Sequence, residues 1–124
     1  MRSAVAFAVA VAAAGCSLEK MPNDPGVVCT AIAVSALNVT VRDAGSGAPL
    51  CDATVTAIDG SGLLYALRQT GDCRYAGAEE RAGQFEVFAA RPGYETTSVR
   101  GIRVGRDECH VIPVQLTVDV PRRP

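Results

Sequence analysis

The sequence has no tryptophan and one histidine, His110, so any site built on two or more imidazoles is excluded. Neither charge is in excess: 12 basic residues stand against 13 acidic ones. A nucleic-acid binder needs a basic surplus to neutralise phosphates, and none is present. No Cys-x-x-Cys or His-x₃-His spacing occurs, although five cysteines are available. A metal site on those thiols and His110 is therefore disfavoured, and no cofactor is expected. Phe, Tyr and Trp together make up only 5 % of the chain. The one long apolar run is too short for the roughly 20 residues that span a bilayer. What is present in quantity is small and aliphatic: 48 % of the residues are hydrophobic, too many for a disordered chain.

The apolar run lies at the start. Arg2 precedes Ala4 to Gly15, a positive segment followed by a hydrophobic one of secretory length. Ala13-Ala14-Gly15 then leads into Cys16-Ser17. Small residues directly ahead of a cysteine resemble the lipobox of bacterial lipoproteins, which implies cleavage before Cys16 and lipidation of its thiol. Cleavage after Ala14 is the alternative, since Ala13 stands where leucine is usual. Lipidation accounts for the odd thiol, because it leaves an even set of Cys29, Cys51, Cys73 and Cys109. By the same resemblance, Ser17 after the cysteine implies passage to the outer membrane, facing the periplasm or the surface. Residues 1–15 are thus read as a signal peptide and 16–34 as a lipidated tether containing Pro22, Pro25 and Gly26. Loss of Arg2 with the signal leaves no basic surplus for anionic lipid, so the acyl group must supply the membrane affinity.

Beyond the tether the hydrophobic period is two. Leu37, Val39 and Val41 alternate with polar neighbours, as do Ala53, Val55 and Ala57. Phe85, Val87 and Ala89 form a further set, and Ile112 to Val120 the clearest one. Asp59-Gly60 reads as a hairpin with a type I′ turn. Leu63 to Leu67 is a third run, and Tyr94 to Val104 a longer polar strand near an edge. Pro113 cannot donate to a ladder and marks the last strand as an edge or a bulge. Asp72 to Gly83 is read as a short strand plus a loop. The pattern predicts an all-β, antiparallel sandwich of about six to seven strands over residues 35–120, followed by a tail at 121–124.

These segments, ALNVTVRDAGSGAPLCDATVTAID, GQFEVFAARPGYETTSVRGIRV and CHVIPVQLTV, resemble the carboxypeptidase regulatory-like (transthyretin-like) domain over roughly Ser35 to Val120. The four cysteines are not part of its general pattern, and Phe85 replaces the commoner tyrosine. The resemblance implies a prealbumin-like sandwich whose first and last strands run side by side and parallel. Among the three possible pairings it favours the disulfides Cys29–Cys109 and Cys51–Cys73. Two enzyme types that share the architecture do not fit: hydroxyisourate hydrolases use several histidines and a Tyr-Arg-Gly-Ser end, and intradiol dioxygenases use two tyrosines and two histidines. Small disulfide-bearing domains of this size belong to oxidising compartments.

For a catalytic role, His110 would require an orienting carboxylate and a nucleophile. Asp107 and Glu108 are near only in sequence, so a packed or hydrogen-bonded histidine beside a disulfide is expected. Glu79-Glu80 is expected in a solvated loop paired with Arg81, and Asp52 is expected to bond turn amides or Arg81. The resulting expectation is a non-catalytic, lipid-anchored β-sandwich of the cell envelope that acts as an accessory or protein-interaction module. A carbohydrate- or peptide-binding module is the alternative, and it requires Phe88, Tyr75 and Tyr94 to be exposed together. A hydrolase using His110 is the weakest alternative.

Overall fold

The computed structural model describes residues 28–124; the segment read as a signal peptide, Cys16 and most of the stretch read as a tether lie outside them. The described chain is an all-β sandwich with two disulfides. One sheet contains β1 (Ser35–Asp43), β4 (Arg68–Thr70), β5 (Arg74–Glu79) and β8 (Val114–Val120), in the order β4-β5-β1-β8. The other contains β2 (Thr54–Asp59), β3 (Leu64–Ala66), β6 (Gly83–Ala90) and β7 (Thr97–Val104), in the order β3-β2-β6-β7. All pairings are antiparallel except β1 with β8, which run parallel from Leu37↔Val114 to Asp43↔Val120. Among the described residues no helix is long and apolar enough to cross a membrane.

The two-residue period does what the sequence requires. Leu37, Val39 and Val41 of β1 meet Val55 and Ala57 of β2, Phe85, Val87 and Ala89 of β6, and Val118 and Val120 of β8 in one core. Eight strands form rather than six or seven, because the chain continues past the third apolar run into the opposite sheet as a further short strand. Leu67 is buried at the crossing, and its amide donates to the Val55 carbonyl before the chain joins the opposite sheet as β4. The Asp72–Gly83 segment contributes more than a short strand: β5 is an interior strand, with Tyr75, Ala76 and Ala78 buried. Its composition concealed this, since Ala and Gly give no visible alternation.

The hairpin after β2 also differs from expectation. Gly62 (φ 91), not Gly60, takes the positive φ. The Asp59 carboxylate accepts the amides of Ser61 and Leu63, and this local bonding pulls the turn into a longer form. Ile112 is 53 % exposed rather than inward-facing, because β8 begins only at Val114 and the Ile112 amide donates to Gly105 in the preceding loop. β7 and β8 are both edge strands, in keeping with the polar pattern of one and with Pro113 ahead of the other.

Candidate functional site

The structure joins Cys29 to Cys109 and Cys51 to Cys73, with Cα separations of 5.2 and 4.5 Å. Two clusters of polar side chains stand at opposite ends of β1, one of them beside the Cys29–Cys109 bridge. The first lies where the chain enters β1. There the loop between β7 and β8 folds over Asp107, whose carboxylate accepts the amides of Cys109 and His110 at 2.8 and 2.9 Å. Those two amide bonds hold the Asp107 carboxyl below its ordinary range. With the backbone so fixed, the His110 ring stands between two partners. Its Nδ1 lies 2.6 Å from Glu80 Oε2, and its Nε2 lies 2.9 Å from Thr30 Oγ1.

Glu80 is itself held on several sides. Its carboxylate accepts the Val34 amide at 2.9 Å and the Val111 amide at 3.2 Å, and its own amide donates to the Val34 carbonyl. The His110 hydrogen bond and then the Val34 amide lower its pKa. Its backbone sits in the left-handed region at φ 56, two residues after Ala78 at φ 58. A non-glycine residue pays for that conformation, and such strain collects where a side chain must be aimed.

These placements correct several expectations. Glu79 and Glu80 are not solvated partners of Arg81. Glu79 accepts from the Ser35 hydroxyl at 2.7 Å and from Arg68 at 3.1 Å, while Glu80, past the end of β5 and in the left-handed conformation, turns its carboxylate to His110. The carboxylate on His110 is Glu80, not Asp107 or Glu108. Nothing in the sequence could identify it, since 30 residues separate the two. Asp52 pairs with Arg91 through two bonds, not with Arg81 or with turn amides.

The second cluster occupies the far end of β1. Asp43 is 4 % exposed; it accepts the amides of Gly45 and Ser46 on one oxygen, and Tyr94 Oη and Arg122 Nε on the other. Tyr94, then Arg122 and the turn amides hold its carboxyl far below the usual range. Alternation along Leu37, Val39 and Val41 already points Asp43 inward, which was the available signal for a buried carboxylate. Arg122 and Arg91 both lie over the Tyr94 ring, and Arg123 bonds Gly93 and Tyr94 carbonyls. Residues 121–123, a tail in the sequence, are thereby bonded into the domain. Tyr75 Oη, also buried, donates to the Leu50 carbonyl and accepts the Ala53 amide, fixing the loop that carries Cys51.

The outer faces of the two sheets are chemically different. Register places Thr70, Arg74, Thr40 and Thr117 in one row across the first sheet, and Arg68, Ala76, Asn38 and Gln115 in the next. Across the second sheet the rows are Ala66, Thr56, Phe88 and Ser98, and beside them Leu64, Ile58 and Glu86. Leu64 is 58 % exposed there. Tyr75 and Tyr94 are core residues, so no platform of Phe88, Tyr75 and Tyr94 is displayed.

The fold and its two clusters define a disulfide-stapled, all-β sandwich. Compared with known proteins, the chain matches no family model and no curated sequence.

Proposed function

We propose that the protein is a lipid-anchored envelope module of the carboxypeptidase regulatory-like type that binds a protein partner through the outer face of the β3-β2-β6-β7 sheet. The observation that carries this reading is the asymmetry of the two faces. One presents Thr, Arg, Asn and Gln, and the other aligns Leu64, Ile58, Ala66 and Phe88. Apolar side chains set around Thr56 and bordered by a charged pair, here Glu86 and Arg100 at 3.1 Å, have the mixed make-up of an interaction patch. Two disulfides support an exported, oxidising location. The anchor rests on the lipobox resemblance at Cys16, and intact mass spectrometry of the exported protein tests it by the presence of a diacylglyceryl adduct. The binding face is tested by a photo-crosslinking amino acid at Phe88 and, as control, at Thr40 on the opposite sheet. Adducts confined to position 88 are expected; equal yields at both positions, or none, reject the face. A carbohydrate ligand is less favoured, because the aromatic side chains it would stack on are largely in the core.

A further inference from the structure

The cluster at the first disulfide has an arrangement that the sheet face does not use. Its three groups lie in series: a hydroxyl on Thr30, an imidazole on His110 and a carboxylate on Glu80, at 2.9 and 2.6 Å. The order of the protons follows from chemistry. An ionised carboxylate only accepts, so Nδ1 carries the hydrogen and donates it to Glu80. In the neutral ring Nε2 then holds a lone pair, and the Thr30 hydroxyl donates to it. That is the relation a nucleophile, its general base and an orienting group must have. Access suits it as well: Thr30 is exposed, whereas the His110 and Glu80 side chains are only 21 % and 30 % exposed. The supports are the Val34 and Val111 backbone amides on Glu80 and the Asp107 carboxylate on the His110 amide. Two further constraints hold the geometry: the neighbouring Cys29–Cys109 bridge and the left-handed backbone of Glu80. The expectation of a non-catalytic domain followed from a sequence that offered His110 only Asp107 and Glu108 as near neighbours, whereas the fold brings Glu80 and Thr30 to its ring.

We propose that Thr30 is an acyl-accepting nucleophile activated by His110, with Glu80 as the positioning residue, and that its substrates are carboxylic esters. Thr30 Oγ1 attacks the ester carbonyl carbon as His110 Nε2 takes the hydroxyl proton. The new bond is Thr30 Oγ1 to the acyl carbon, and the bond broken joins that carbon to the alcohol oxygen. The alcohol departs with the proton that Nε2 held. Water then attacks the acyl-threonine, Nε2 again relaying a proton, and the free acid leaves with Thr30 restored. The proposal stands apart from the binding face and does not depend on the anchor.

The test uses the exported full chain with both disulfides intact and p-nitrophenyl acetate as the probe. Nitrophenol release is followed, and the acetyl group is located by peptide mapping of the rapidly quenched protein. The wild type is expected to carry acetyl on Thr30. Thr30→Val and His110→Gln should each lose about a hundredfold or more in rate, the lower range for a positioned general base. Thr30→Ser should retain activity. Glu80→Gln should reduce the maximal rate and leave the half-saturating ester concentration unchanged in protein whose near-ultraviolet dichroism and melting temperature match the wild type, which separates positioning from loss of the fold. Thr30 is exposed, so Thr30→Val tests the nucleophile without disturbing the core. A Thr30→Val protein as fast as wild type, or acetyl found only on other residues, overturns the proposal.

Discussion

At the scale of single residues, this domain depends on polar side chains that replace missing secondary-structure bonds. Tyr75 is the clearest case, since its buried hydroxyl serves both the Leu50 carbonyl and the Ala53 amide. Tyr75→Phe keeps the ring and strands both backbone groups, so it should destabilise the fold by about 1–3 kcal/mol in urea unfolding. Asp43 plays the corresponding part at the other end of the first cross-connection. Asp43→Asn puts an amide where Tyr94 Oη and Arg122 Nε both donate. It should expose residues 121–124 to carboxypeptidase digestion before any change in the far-ultraviolet dichroism of the sheets.

At the scale of elements, the sheet change at Leu67 decides how β5 can pack. Gly77 lies so close to this crossing that a Cβ there would meet Leu67 Cγ at 3.1 Å and the Leu67 backbone Cα at 3.3 Å. Gly77→Val should cost about 1–3 kcal/mol by overpacking, measurable as a lower denaturation midpoint. The same element explains why legibility was uneven. β1, β2, β6 and β8 were readable because Val, Leu and Phe alternate with polar residues. β5, with Tyr, Ala, Gly and Ala in succession, has no amphipathic contrast, and its inward direction comes only from its neighbours on both sides. Glu80 follows from β5, so the carboxylate of the His110 cluster was hidden for the same reason.

At the scale of the whole molecule, stability should depend on acid and on the bridges. Asp43, Asp52, Asp59, Glu79, Glu80 and Asp107 all have lowered pKa values in the fold. Asp59, bonded first to the Ser61 hydroxyl and also to Tyr65 and backbone amides, falls from 3.8 to about 2. A group depressed on folding stabilises fully above its unfolded pKa and loses that contribution as pH falls through its folded one. The melting temperature should therefore hold from neutrality to about pH 4 and fall steeply between about pH 4 and pH 2. Removing a disulfide releases loop-closure entropy. Cys51→Ala with Cys73→Ala should cost about 3.4 kcal/mol, and Cys29→Ala with Cys109→Ala about 4.5 kcal/mol, in the chain-entropy model. The larger loss belongs to the bridge that spans 80 residues.

Period-two patterning was enough to establish an all-β chain, most of its inward-facing residues and two of its edge strands, β7 and β8, because burial on one face of a pleated strand is written locally. The small residues before Cys16 set that thiol apart as an expectation, and the other four thiols form the two bridges. Apart from the cysteine pairs and the parallel β1–β8 pairing, which the family resemblance implied, what joins distant segments was decided by the tertiary structure. Thr30, Glu80 and His110 meet because β1 lies between β5 and β8, which brings the segment before β1, the end of β5 and the loop before β8 to one end of the sheet. Strand order sets those neighbours, and strand order depends on which long-range packing buries the most apolar surface, a quantity that no short window of sequence contains.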